Sequence, residues 1–400
     1  MRLVHLSDLH IGYRQYQKST PAGINQREAD VAATFKRAID KTIQLEPEFV
    51  LIAGDVFHSV RPSNPAILHA FQQFSRLVSA LPKSHIVMIA GNHDTARTAE
   101  TGCILHLFKP LGITVVDGDA KRLEFAAEGV SILAVPDMPQ GIPALTPDPA
   151  ATRNILLLHG EVEGVLPEHA RRMERAVEEI SRDEIGASRW DYVALGHYHV
   201  HRDVAPNAYY AGSIDYTSSN PWGELREERE AGIYDAMRGG KGIIEWDLDS
   251  ATHTFHPLPV ARPLIDLPRV DGEGMTSDEL DAAVLQRVQS TRVAIDDHVV
   301  RLVITNVPRH IARQMDAKAI RDLKRRALHF NLDVRRPEIV RRTASGAPGR
   351  RASLAEVLRD KLETRPVSAE IDRVGFVTLG LEYLNQADVA LAAVSGSESP

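Results

Sequence analysis

The chain holds a single cysteine, Cys103, among 400 residues. Neither an intramolecular disulfide framework nor a thiolate-rich zinc site is open to it. Long apolar runs are missing as well. Ile86–Ala90 and Ile155–Leu158 are strand-sized, far short of the ~20 residues of a membrane helix. The opening Met1-Arg2-Leu3-Val4-His5 leads into no extended apolar segment of the secretory type. These absences predict a cytoplasmic protein without membrane attachment. Aromatic residues make up only 6%, which leaves little for stacking on bases. Positive charge is not in excess either, since the formal net charge of -7 argues against a nucleic-acid partner. What remains is ordinary globular material, 43% apolar and 25% charged, enough for two or three domains.

The average charge hides a partition. Between Val299 and Arg351 fourteen Arg or Lys face four acids, Asp316, Asp322, Asp333 and Glu338. That stretch is about +10 and the rest about -17, which suggests a module with its own partner. A solvated helix face would account for the charge equally well.

The first ~260 residues read as α/β. Apolar runs at Arg2–Ser7, Phe49–Ala53 and His85–Ala90 alternate with helical spacing over Arg27–Leu45 and Asn64–Ala80. Short strand candidates follow at Ile113–Val116, Ser131–Val135, Asn154–Leu158, Tyr192–Leu195, Tyr209–Ala211 and Gly242–Asp247. The pattern predicts two packed β-sheets flanked by helices over residues 1–262. A small α+β cap is expected at 263–340, with a helix over Ser277–Gln289, a strand over Val299–Asn306 and a basic helix over Ala317–His329. Residues 341–352 have the composition of a flexible basic linker. A helix-loop-helix tail is expected over 353–390, opened by the capping-box pair Ser353 and Glu356. Its second helix, Glu370–Gln386, carries two apolar stripes: Val374, Val377, Leu381 and Leu384 on one side, Phe376, Leu379 and Tyr383 on the other. The first helix can cover one stripe; the other is left for the protein's own body or for a partner chain.

Five short motifs follow strand-like runs, where open α/β sheets place their sites. They are Asp8-Leu9-His10, Gly54-Asp55, Gly91-Asn92-His93-Asp94, His159-Gly160 and Gly196-His197-Tyr198-His199. On extended backbone alternate side chains share a face, so Asp8 with His10, and His197 with His199, would each converge on one centre. Asn92 and His93 are adjacent and would diverge, one to metal and one to substrate. Carboxylates and neutral imidazoles without thiolate suit manganese, iron or zinc. Two divalent ions against Asp8 and Asp55 leave the site near +2, which attracts a phosphate anion. Asp55, on its glycine turn, is the natural bridging residue for two ions sharing a hydroxide.

These motifs resemble the calcineurin-like metallophosphoesterase superfamily. Asp8-Leu9-His10-Ile11-Gly12-Tyr13, Ala53-Gly54-Asp55-Val56-Phe57-His58 with Pro62-Ser63, and Tyr210-Ala211-Gly212-Ser213 resemble its SbcD-type (meiotic recombination eleven-type) DNA double-strand-break repair nucleases. The resemblance implies a four-layer sandwich with two divalent metal ions, most often manganese. It implies that Asp8, His10, Asp55 and His199 hold one ion and that Asp55, Asn92, His159 and His197 hold the other. His93 would act as the acid or transition-state stabiliser, Asp94 would orient its ring, and His58 would be a second histidine of the site. It further implies 3′-to-5′ exonuclease and single-strand endonuclease activity, homodimerisation, partnership with an SbcC-type SMC-like coiled-coil ATPase, and a nucleoid-associated location. His201, which continues the alternation, and Tyr13, Arg14 and Gln15 after the first motif are weaker candidates for the site or for DNA.

Three other functions compete. A phosphoprotein phosphatase would continue Asp55 with Arg-Gly and follow His93 with Glu, whereas Val56-Phe57-His58 and Asp94 stand here. A phosphodiesterase for nucleotides or other small diesters fits the catalytic residues but needs neither cap nor tail. A scaffold subunit with a decayed site is at odds with seven intact donors. The stretch Ile214–Glu230, with Trp222 and many charges, has no reading from pattern alone.

Overall fold

The computed structural model describes residues 1–95, 102–138, 140–165, 179–337, 353–365 and 371–395. The first sheet joins β1 (Arg2–Leu6), β2 (Phe49–Ala53), β3 (His85–Ile89) and β4 (Thr114–Val116) in parallel. On the other side of β1 it carries the antiparallel pair β13 (Gly242–Asp247) and β14 (Thr252–Pro257). The second sheet runs β11 (Arg202–Ala205), β12 (Ala208–Tyr210), β10 (Tyr192–Gly196), β7 (Arg153–His159), β6 (Val130–Val135) and β5 (Lys121–Phe125). A two-stranded ribbon, β8 (Glu161–Val162) with β9 (Glu179–Ile180), lies beyond it. This is the α/β class expected.

Why the central strands are apolar without interruption follows from the layers. Leu3, Phe49, Leu51, Val87 and Ile89 enter the core between the two sheets. Their alternates Val4, Leu6, Val50, Ile52 and Met88 pack under α1 (Gln26–Leu45) and α2 (Asn64–Ala80). A strand buried on both faces needs apolar residues at every position. Each such side chain contributes roughly 1.5–3 kcal/mol on burial. The helices start where side chains can satisfy their free N–H groups. Asn25 accepts from the backbone N–H of Arg27 and Glu28, and Ser63 from that of Ala66.

A third sheet is built on β17 (Val299–Thr305), with β15 (Leu264–Asp266) and β16 (Val270–Asp271) on one edge and β18 (His329–Val334) on the other. It has its own core beneath α4 (Ser277–Gln289) and α5 (Ala317–Arg326), including Leu280, Val284, Leu302, Leu323 and Phe330. A smaller cluster of Tyr216, Leu225, Val260, Leu264, Val299 and Leu328 joins it to the two-sheet body. Between them runs α3 (Pro221–Glu230), and residues 1–337 make one compact unit.

The second unit is described over α6 (Leu354–Thr364) and α7 (Arg373–Ser395). Gly380 lies so close to Leu362 that a Cβ would collide with it. Val377, Leu381 and Leu384 are half-buried, whereas Val374, Leu379 and Tyr383 stay exposed. The linker expected at 341–352, and the last three residues of the expected cap, lie outside the described residues.

Boundaries in the cap and tail differ from expectation, and the second tail helix runs on to Ser395 rather than ending at Gln386. The basic helix ends at Arg326, since Leu328 drops into the joining cluster and His329 starts β18. The second tail helix begins at Arg373, behind Asp372, whose carboxylate accepts from the N–H of Val374 and Gly375. Strands β5, β11 and β14 escaped the pattern because each is a sheet edge with polar residues on its open side.

Candidate metal centre

All five motifs sit at the C-terminal ends of strands: β1, β2 and β3 of the first sheet, β7 and β10 of the second. The two sheets nearly touch there. A Cβ on Gly196 would collide with the carbonyl of Ala53, and one on Gly91 with the Asp55 carboxylate. Only glycine permits such close backbone approach.

Convergence does not come from extended alternation. Asp8, His10 and Asp55 have φ of 51°, 44° and 51°, and His197 has 105°, all left-handed. Such backbone costs about 1–3 kcal/mol per residue and persists only where the surroundings enforce it. Here Asp8 N–H donates to Gly54 O at 3.1 Å and His10 N–H to Asp55 O at 2.9 Å. The N–H of His197 donates to both Asp8 carboxylate oxygens at 3.1 Å.

Among the described residues the possible donors form three groups, one of which joins His10 to His58 and His93, and His197 and His199 fall in the other two rather than share one. Of those two, His10, Asp8 and His199 make the first and Asp55, His159 and His197 the second, the ligand atoms of each lying within 4.8 Å of one another. His10 Nε2 and His199 Nε2 are 2.9 Å apart. Asn92 Oδ1 lies 3.0 Å from His159 Nε2 and 3.1 Å from His197 Nδ1. Asp55 Oδ2 stands between the groups, 3.8 Å from His10 Nε2 and 3.6 Å from His159 Nε2. His159 Nδ1 faces Ala53 O at 2.8 Å, which assigns the proton to Nδ1 and leaves Nε2 as a donor atom.

Electrostatics suit cation binding. Burial, reinforced by His199, His93 and His58, holds His10 well below the usual imidazole range, so the ring is neutral at pH 7. Burial pushes Asp55 up, with Asp8 adding to the rise against the pull of His159 and His93. Burial alone would lower His159, but Asp55 and Asp8 carry it above its ordinary value. Imidazoles, two carboxylates and an amide oxygen, with no thiolate, fit hard to intermediate divalent ions.

His93 stands beside the two groups that share Asp55, half-buried. Its backbone N–H donates to Asp55 Oδ1 at 2.8 Å, and its Nδ1 faces the carbonyl of His58 at 2.8 Å. That contact fixes the ring and leaves Nε2 free of the backbone. His58 stacks on His93 at 5.2 Å between centroids, and its Nδ1 lies 3.4 Å from His10 Nδ1. Burial, then His93 and His199, lower the His58 imidazole to about 4.

The reading of Asp94 is revised. Its carboxylate does not hold the His93 ring; it accepts from the N–H of Phe57 at 2.9 Å, Val56 at 3.0 Å and Gly91 at 3.1 Å. It clamps the turns carrying Asp55 and Asn92, and the His58 carbonyl takes the orienting place. Burial, with Asp55 nearby, raises Asp94 to about 7. His201 turns away from the centre, its Nδ1 facing Tyr210 O while its ring stacks on Phe255. Tyr13 donates to Gln15 Oε1 and meets the His58 ring edge-on, and Arg14 pairs with Glu28.

Sequence reasoning missed the polar cluster behind His199. Glu224 of α3 lies 3.7 Å from His199 Nδ1, and Lys241 donates to the carbonyl of His199 at 2.8 Å. Burial would raise Glu224, but the Lys241 ammonium and His199 together outweigh it and hold the carboxyl down at about 2. No motif marks these residues, and the stretch Ile214–Glu230 that holds Glu224 has no reading from pattern alone.

The calcineurin-like phosphoesterase model matches residues 1–213. The DNA double-strand break repair protein Mre11 of Methanococcus maripaludis is 30% identical over 265 residues, 62% of this chain and 63% of its own length. That of Sulfolobus acidocaldarius is 28% identical over 260 residues, covering 62% and 61%. That of Archaeoglobus fulgidus is 25% identical over 346 residues, covering 73% and 72%. The chain thus spans about three-fifths of the first two relatives. The family match runs through all five donor-bearing turns as far as Ser213, more than half of the sequence, and the chain belongs to the calcineurin-like phosphoesterase family.

Proposed function

We propose that this protein is a manganese-dependent DNA nuclease of double-strand-break repair that hydrolyses phosphodiesters. The observation that carries the proposal is the placing of His93 beside two donor groups that share Asp55. Asp8, His10, Asp55 and His199 would hold one divalent ion, and Asp55, Asn92, His159 and His197 the other. When bound, such a pair supplies a hydroxide nucleophile at neutral pH and offsets charge on the phosphoryl oxygens. The chain's own task is orientation. The left-handed turns hold the donors, the Asp94 clamp stiffens two of those turns, and His93, anchored through Nδ1, offers Nε2 to the phosphate or the leaving oxygen.

Substrate and partners rest on the rest of the chain and on the names of its relatives. Residues 1–262 are the nuclease domain and 263–340 a cap whose exposed cations meet DNA phosphates. The tail at 353–390, tied by the linker 341–352, docks an SbcC-type ATPase through the stripe with Leu379 and Tyr383. A second copy covers the apolar groove of 870 Å³ lined by Val60, Pro62, Ile67, Phe71, Leu107 and Pro110, of which Phe71 and Leu107 are exposed. The activities would be 3′-to-5′ exonuclease and single-strand endonuclease, at the nucleoid.

The test offers DNA, a bis-aryl phosphate and a phosphopeptide to the purified protein with manganese. Cleavage of DNA and of the aryl diester is expected. Hydrolysis of the small diester without DNA would leave a small-molecule phosphodiesterase, and hydrolysis of the phosphopeptide alone a phosphatase.

A further inference from the structure

Helix α3 opens on Asn220, whose side chain caps Gly223, with Pro221 in its first turn. Within ten residues it buries three carboxylates, Glu224, Glu227 and Glu228. A buried carboxylate is costly unless each oxygen is matched by a donor or a positive charge. Glu227 accepts from the Tyr198 hydroxyl. Glu228 accepts from the Tyr216 hydroxyl at 2.6 Å and pairs with Lys241 at 3.0 Å. Glu224 takes the hydroxyl of Ser218 and the ammonium of Lys241 and turns Oε1 toward His199 Nδ1, 3.7 Å away.

His199 is therefore approached from behind at two points. Lys241 bonds its backbone carbonyl at 2.8 Å and Glu224 faces the rear nitrogen of its ring. The front nitrogen, Nε2, lies 2.9 Å from His10 Nε2 in the first donor group. We infer that Glu224 is a positioning residue for His199: it accepts the Nδ1 proton, which sets the tautomer and aims the Nε2 lone pair at the metal. The inference rests on the reading of His199 as a ligand. The separation of 3.7 Å is longer than a direct hydrogen bond, and on this inference the two close to one when the ion is held. Carboxylates behind ligand histidines act in this way across metal sites. Lys241 keeps Glu224 ionised and in place, while Glu228, one turn further along the helix, shares Lys241 without facing His199. That difference makes the assignment testable.

The experiment titrates manganese into the full chain and reads free ion by electron paramagnetic resonance, with no substrate present. Glu224→Gln keeps the size and removes the charge; it should weaken the tighter detectable site roughly 10–100-fold while the melting temperature reports an intact fold. Glu228→Gln disturbs the same lysine and should leave manganese affinity close to that of the unaltered chain. Glu224→Asp keeps the charge and withdraws it from the ring, so it should also weaken binding, and it serves if the glutamine variant fails to fold. Unchanged affinity in folded Glu224→Gln, or equal losses in Glu224→Gln and Glu228→Gln, would overturn the assignment. If the unaltered chain binds manganese but leaves DNA intact, the nuclease reading fails while the effect of Glu224 stands.

Discussion

The donor groups and the cap's basic helix both collect charge, in opposite ways. Around Asp55 the carboxylates are buried and each is held by named partners: the His93 N–H on Asp55, the His197 N–H on Asp8, three backbone N–H groups on Asp94. On α5 the cations Lys318, Arg321, Lys324 and Arg325 stand in solvent, and among the described residues only Arg325 of the four has an ion pair, with Asp322. The cap also uses some of its charge internally. Arg301 grips Asp266 and Arg326 grips Asp296 through two nitrogens each, and Arg335 bonds Asp333. A buried site works through geometry, so one substitution can abolish it. An exposed patch works through summed charge, so its members substitute for one another.

The sharpest way to break this contrast is at His93. His93→Ala should retain manganese, since the ring lies outside both donor groups that share Asp55, and should lose roughly 10²–10⁴-fold in turnover. Metal titration beside single-turnover cleavage checks it; parallel loss of metal would make His93 a ligand.

Burial should also appear as acid sensitivity. His5, fully buried at the root of the first motif with Nδ1 3.0 Å from the Tyr192 hydroxyl, is lowered to about 3 by burial and then by His201. The unfolded chain protonates this ring near pH ~6.5, while the folded chain stays neutral down to about 3. Between those values the unfolded state binds more protons, so stability is lost as pH falls. The loss from pH ~7 to ~5 should be about 2 kcal/mol from this residue. Urea unfolding of His5→Gln at both pH values, in chelator, should show that much less acid sensitivity; an identical slope would refute it.

The smallest effects belong to the cap. Arg321→Ala or Lys324→Ala should weaken DNA binding a few-fold irrespective of sequence and reduce the slope of log K against log salt by about 1. Fluorescence anisotropy across a salt series measures this. A loss confined to one DNA sequence would mean base contacts rather than phosphate contacts.

Legibility followed the same division. The five turns stood out because each pairs glycine with metal-type donors just beyond an apolar run, and the double-faced burial of β1, β2 and β3 made those runs unmistakable. The cap appeared only as a charge imbalance, and its partition between ion pairs and free cations depends on Asp266 and Asp296, both outside the basic stretch. Helix α3 has no reading because its mix of acids and arginines matches no motif. Its carboxylates are buried because Lys241, Tyr198 and Tyr216 reach them from other parts of the fold.

Donor chemistry is thus a property of the sequence: carboxylates, imidazoles and one amide at strand ends, without thiolate, already specify an oxygen- and nitrogen-lined cation site. How those donors are shared out is a property of the fold. His197 and His199 are two residues apart and would face one way on extended backbone, yet φ of 105° at His197 and the closure of the two sheets at Gly196 send them to different groups. Asp94, next to His93 in the chain, is drawn instead to three backbone N–H groups that only packing brings within reach. Local spacing sets which atoms are available, and long-range contacts set which of them meet.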